Sequence, residues 1–179
     1  GDVIARAVDA GVGTFLTIGT HLSRFERGRA LAENPRIFCS VGIHPHQAGE
    51  EGVTTPDRLI ELAADPRVVG LGETGLDYYY DNSPRADQQA NFRAHIVAAR
   101  ETGLPVIVHT RDADEDAARI LTEEHQRGPF AGVLHCFSSS QALADVALQL
   151  GFYISFSGIV TFKNAESVRA VARTVPLDR

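Results

Sequence analysis

Short unbroken apolar runs alternate along this chain with longer stretches in which apolar residues recur at helical spacing. The runs predict strands at residues 14–19, 36–43, 68–72, 104–109, 131–137 and 152–156. Between them the spacing predicts helices. One ends near residue 10, stopped by Gly11 and Gly13, and another covers 21–34 with Pro35 just beyond. A third opens at Thr55-Pro56, cap then proline at the first helical position, and runs to about residue 64. A longer one follows Ser83-Pro84 to residue 102, with Phe92, Ile96 and Ala99 on one face and Gly103 as its stop. Others cover 114–126, with Ala117, Ile120 and Leu121 inward, then Ser139 or Ser140 to residue 150, and 163–174.

The strands are continuous apolar runs, so they are buried on both faces, as in a parallel sheet covered by helices. A doubly wound sheet would carry a glycine-rich phosphate turn after an early strand, but Gly70-Leu71-Gly72 leads into Glu73 and not into such a turn. The alternative is a (β/α)8 barrel, in which residues from several strand ends converge on one face. About six strand–helix units are present against the eight of a full barrel. The expectation is therefore a single domain over residues 1–179, an incomplete TIM-type barrel lacking the first and last strands. The chain opens as if in mid-helix and contains no methionine, which reads as an internal piece of a longer protein.

Composition narrows the class. A formal net charge of −6 argues against a broad basic surface for nonspecific nucleic-acid binding. It leaves room for a phosphate substrate, because bound metal ions supply positive charge locally. Cys39 and Cys136 form no CxxC pair and fall in predicted strands, which reads as two buried, reduced thiols and a cytoplasmic setting. No apolar run reaches the roughly 18 residues of a membrane span, and no signal-peptide pattern opens the chain.

Three strand-like runs end in residues that bind metals: Val68 to Gly72 before Glu73, Val106-Ile107-Val108 before His109, and Gly132-Val133-Leu134 before His135. Singly, Glu73 also admits the lesser reading of an exposed loop glutamate, and each histidine reads equally as a satisfied core residue. Together, on neighbouring parallel strands, they make a first shell for a divalent ion. His44 and His46 flank Pro45; the pattern invites a metal reading, but the proline restricts the backbone, and a loop lining the site is the plainer reading. Asp77, Tyr78, Tyr79 and Tyr80 either line a cleft where bases stack or pack their own loop down. Arg111 and Lys163 are either phosphate contacts at the rim or ordinary solvated cations. Asp112, Asp114, Glu115 and Asp116 suit the start of a helix and take no catalytic role.

Five ordered blocks carry a family resemblance across essentially the whole chain. They are Gly42-Ile43-His44-Pro45-His46, Gly70 to Asp77, Pro105 to Arg111, Gly132 to Phe137 and Phe156 to Lys163. The chain resembles the TatD-type metal-dependent deoxyribonucleases. That resemblance implies a (β/α)8 barrel, two divalent ions (Mg, Mn or Zn) and hydrolysis of phosphodiester bonds in DNA, single strands and frayed ends included, with no obligate protein partner. It implies Glu73 as the bridging ligand and His109 and His135 as completing the second metal's shell; His44, Arg111 and Lys163 are the candidate substrate contacts read from their own positions. The family's first-strand HxH pair has no match here. Its late general-base aspartate is expected beyond Arg179, since Asp178 does not sit in that motif. The chain by itself is accordingly expected to hold one metal at best and to show little nuclease activity, at the limit an inactive metal-binding remnant. The alternative enzyme class is an amide, ester or lactone hydrolase of the amidohydrolase type. Those commonly bridge their metals with a carboxylated lysine, and no lysine ends an apolar strand here.

Overall fold

The computed structural model describes residues 2–179. Its elements run α1 (Asp2–Asp9), β1 (Phe15–Thr17), α2 (Phe25–Leu31), β2 (Ile37–Val41), α3 (Ala48–Glu51), α4 (Pro56–Ala63), β3 (Val68–Asp77), α5 (Arg85–Thr102), β4 (Val106–Arg111), α6 (Asp114–Arg127), β5 (Gly132–Leu134), α7 (Gln141–Gln149), β6 (Tyr153–Ile154) and α8 (Glu166–Ala172). The six strands form one sheet in sequence order, β1 to β6, with every neighbouring pair parallel. Sequential parallel order with a helix between strands is the arc of a (β/α)8 barrel. The C-terminal ends of all six strands therefore share one rim.

The local signals act as the residue types require. The Thr55 hydroxyl accepts the Arg58 amide and Ser140 accepts that of Leu143, each capping its helix. Gly103 ends α5 in the left-handed region. Phe92, Ile96 and Ala99 of α5 are buried against the sheet, together with Ala117, Ile120 and Leu121 of α6. Among the described residues no helix is long and apolar enough to cross a membrane.

Four expectations need correction. The strand expected to stop at Gly72 continues to Asp77, so Glu73 lies inside β3. Against β4, Leu71 pairs with Val106 and Thr74 with Val108, so three steps on β3 face two on β4. That extra residue is a β-bulge, and it falls at Gly72-Glu73. The run 131–137 is strand only to Leu134, because Cys136 turns the backbone at φ +48°; Cys136 is then half-buried and outside the sheet. The helix expected at 21–34 begins as a 3-10 turn at Leu22–Arg24 and ends at Leu31, where Asn34 Oδ1 takes the Arg36 amide and closes the connection. The helix expected from residue 163 begins at Glu166, because the Arg169 guanidinium binds the carbonyls of Val160 and Phe162 and holds that segment as a turn.

His95 pins α5 to the loop after β2. It is fully buried; its Nδ1 donates to the Asn91 carbonyl at 2.7 Å and its Nε2 accepts the Ile43 amide at 3.1 Å. Burial pushes its pKa down from 6.5 to about 4. Between those values the unfolded chain binds a proton that the folded protein refuses. The stabilisation is thus whole above pH 6.5 and is lost as pH falls toward 4. From pH 7 to pH 5 the loss comes to roughly 2 kcal/mol at 1.36 kcal/mol per unit. Urea unfolding of wild type and His95→Gln at both pH values checks this: the wild type is expected to lose that much more than the variant. Equal losses would contradict it.

Candidate metal centre

The bulge in β3 sets the first ligand. The Glu73 amide donates to the Gly19 carbonyl at 2.8 Å, which ties this turn of backbone to the end of β1. Its carboxylate is almost wholly buried. His109 stands on β4 opposite Gly75. His135 follows β5, and its amide still donates to the Val108 carbonyl at 2.8 Å, so it keeps the strand's alignment past the strand's end. Both imidazoles reach the same carboxylate oxygen: His135 Nδ1 lies 3.0 Å and His109 Nδ1 3.5 Å from Glu73 Oε1.

Burial alone would raise the Glu73 carboxyl, but the hydrogen bonds from His109 and His135 outweigh it and hold the group at about 2. The histidines move the opposite way. Burial pulls His109 down, while Glu73 and Asp77 together push it above its ordinary value. His135 is raised chiefly by Glu73. An ionised carboxylate facing nitrogens that hold extra protons is a place where a divalent cation can replace those protons. The donor set, one carboxylate and imidazole nitrogens, suits such an ion.

His44, and not His135, makes the compact three-ligand set with Glu73 and His109; His135 meets that set through Glu73. One of the His44 ring nitrogens lies within 4.8 Å of ligand atoms of both Glu73 and His109. Its ring centre is 4.5 Å from that of His109. The chain from His44 makes a 3-10 turn over Pro45–Gln47, in which His44 Nδ1 accepts the His46 amide at 3.2 Å. Burial, then the neighbouring His109, lowers the His44 pKa to about 4, so the ring is neutral at pH 7. With Nδ1 accepting, the proton of the neutral ring sits on Nε2.

A second cluster joins His46 and His109 through Asp77, with ligand atoms again within 4.8 Å. The sequence reading left Asp77 undecided and did not link it to either histidine. No sequence signal made that link, because the predicted strand ended at Gly72 and the two histidines lie 31 and 32 positions from Asp77. The tyrosines after it divide between the two readings given to them. Tyr78 packs inward and donates its hydroxyl to Asp116 at 2.8 Å. Tyr79 and Tyr80 are exposed, and the Arg111 guanidinium lies over their rings at 4.0 and 4.8 Å. Lys163 is exposed on the turn before α8. A cleft of about 1110 Å³ flanks the centre, walled by Tyr78, Tyr79, Arg85, Arg111, Ser139 and Phe162 among others. Its wall includes Arg111 but none of Glu73, His109 and His135.

The general-base aspartate expected beyond Arg179 lies outside the described residues. Arg179 itself is no part of the metal centre. Its carbonyl accepts the Ile154 amide at 2.9 Å, which lays the backbone there along β6. Its guanidinium donates to the Gly151 carbonyl at 3.2 Å and sits over the Tyr153 ring at 5.2 Å, at the start of β6 and so away from the C-terminal rim.

The chain is similar to known proteins over nearly its whole length. The chain is 47% identical over 179 residues to an uncharacterized metal-dependent hydrolase, YcfH, of Escherichia coli strain K12, covering 99% of this chain and 66% of that protein. It thus spans slightly under two thirds of that relative's length. It is 37% identical over 160 residues to the 3'-5' ssDNA/RNA exonuclease TatD of Shigella flexneri serotype 5b, covering 89% of this chain and 61% of that protein. Among solved structures, the TatD homolog YJJV of Escherichia coli K12 superposes with a TM-score of 0.84 at 31% identity, over 97% of this chain and 67% of that one. The family model for TatD related DNase matches residues 1–179, and the chain belongs to that family of metal-dependent hydrolases.

Proposed function

We propose that this chain carries the metal centre of a hydrolase that cleaves phosphodiester bonds in DNA, with Glu73, His109 and His135 holding a divalent ion. The observation that carries the reading is the meeting of His109 and His135 on one oxygen of a buried, ionised Glu73. A bound divalent ion supplies Lewis acidity toward a phosphate oxygen and a water acidified enough to attack at neutral pH. The name printed for the Shigella relative, a 3'-5' exonuclease on single-stranded DNA and RNA, supports a nucleic-acid substrate. Among the described residues the six-strand arc does not close on itself, as a full (β/α)8 barrel would.

The remaining residues fit roles around a phosphodiester. Neutral His44 offers Nε2–H as a donor to a phosphate oxygen. Arg111, held on the faces of Tyr79 and Tyr80, keeps a cation at the border of the cleft and the metal centre. The exposed tyrosine rings offer faces on which an unpaired base can stack. Lys163 adds a charge on the turn between cleft-lining Phe162 and Asn164.

The test is hydrolysis by the intact gene product, stripped with a chelator and reconstituted with Mg²⁺, Mn²⁺ or Zn²⁺ in turn. Substrates are single-stranded DNA, duplex DNA and a panel of amides, esters and lactones. DNA cleavage that vanishes on chelation and returns with metal is expected. Turnover confined to the amide, ester and lactone panel would replace this reading with the amidohydrolase one.

A further inference from the structure

The carboxylate of Asp77 is fully buried and accepts four hydrogen bonds. Oδ2 takes His46 Nε2 at 2.7 Å and His109 Nε2 at 2.9 Å. Oδ1 takes the backbone amides of Tyr79 at 3.1 Å and Tyr80 at 2.9 Å. The backbone of the same residue is clamped from α5. The Asp77 amide donates to Gln88 Oε1 at 2.8 Å, and Gln88 Nε2 donates back to the Asp77 carbonyl at 3.3 Å and to Ser83 at 2.9 Å. Gln88 is itself buried. Asp77 is thus held from both ends, by its carboxylate and by its backbone, and the His109 ring takes its orientation against that fixed group.

We infer that Asp77 is a positioning residue that fixes the tautomer and orientation of His109 and so presents Nδ1, not Nε2, to the metal. An ionised carboxylate only accepts, so the atom facing it must carry the proton. Nε2 is that atom, so when a cation displaces the proton that Nδ1 shares with Glu73, it is Nδ1 whose lone pair is released on the Glu73 side. A histidine ligand held by a carboxylate on its second nitrogen is also a more basic ligand. Through Oδ1 the same carboxylate anchors the turn that carries Tyr79 and Tyr80 beneath Arg111. The metal ligand and the aromatic rim are therefore set by one group. The inference rests on the metal-centre reading above and adds to it a role for a residue that is not itself a ligand.

Two measurements on the intact gene product test it. In the wild type loaded with Zn²⁺ alone, long-range ¹H–¹⁵N spectra should show His109 protonated at Nε2 and metal-bound at Nδ1, the resonances assigned by their loss in His109→Gln. A signature of metal on Nε2 overturns the inference without any mutation. Zn²⁺ titration calorimetry of Asp77→Asn should then show an unchanged number of ions bound and an affinity weakened roughly 10- to 100-fold. Loss of one bound ion would make Asp77 a ligand and overturn the positioning role, as would an affinity within twofold of wild type. Glu73→Gln, titrated alongside, separates the two readings. If it too binds Zn²⁺ like the wild type, the metal centre itself is misassigned; if only Asp77→Asn does, the failure is confined to Asp77.

Discussion

In the intact gene product, Glu73→Gln is expected to weaken divalent-metal binding by roughly 100- to 3,000-fold and, on the proposed function, to lower hydrolytic turnover at least as much. The magnitude follows from removing one partner of a buried charged group, which costs about 3–5 kcal/mol, at about 1.4 kcal/mol per tenfold change. Glutamine keeps the size of the side chain and its place in the bulge but not the charge. Its carbonyl can accept from one imidazole, yet it cannot offset a divalent cation. The two histidines should respond unequally. His135 owes its raised pKa chiefly to Glu73, so it should fall back toward the ordinary histidine value in the metal-free variant. His109 keeps Asp77 and should fall less. Calorimetry gives the affinity and histidine ¹⁵N shifts give the titrations. A variant that binds metal and turns over like the wild type would remove Glu73 from the site.

Gly75→Ala should be the most damaging change that touches no ionisable group. Gly75 sits at φ +130°, and a Cβ there would fall 2.0 Å from the carbonyl oxygen of His109 and about 3 Å from its backbone carbon and nitrogen. Neither strand can retreat, because Leu76 and Asp77 pair on with Thr110 and Arg111. The strained φ costs about 1–3 kcal/mol and the overpacking a similar amount. The expected outcome is a loss of about 2–6 kcal/mol in urea unfolding, or failure to accumulate folded protein, with metal binding weakened because His109 is the residue pushed. Gly103→Ala separates the two causes. It also has a left-handed φ, at +73°, but nothing lies within 4 Å of a Cβ there, so only the conformational cost of about 1 kcal/mol should appear. Equal, small effects at both positions would show that β3 and β4 do not approach as described.

Much of this was readable from residue order. Continuous apolar runs leading into Glu73, His109 and His135 marked three parallel strands, and residues at one level of neighbouring strands meet once the strands lie side by side; the strand ends placed at Gly72 and His109 were too early, since β3 runs on to Asp77 and β4 to Arg111. Helix boundaries at Thr55, Ser140 and Gly103 followed from hydroxyl capping and glycine's access to the left-handed region. Asp77 was not readable, because its partners are 31 and 32 positions away and no local pattern names them. The strand at 131–137 was overread, because an apolar run does not reveal that Cys136 turns at positive φ.

The sequence by itself determined the alternation of strand and helix, the parallel sheet and the three residues that gather at its C-terminal rim. Burial periodicity and capping are local physics, acting over one or two turns of chain. Only the tertiary structure decided how those residues face one another. The bulge that carries Glu73 is defined only by pairing, since β3 shifts its register against β4 by one residue there. The Gln88 clamp on Asp77 exists because α5 packs across β3. Both depend on contacts between elements, and hydrogen bonds formed across such distances leave no periodic mark in the chain that makes them.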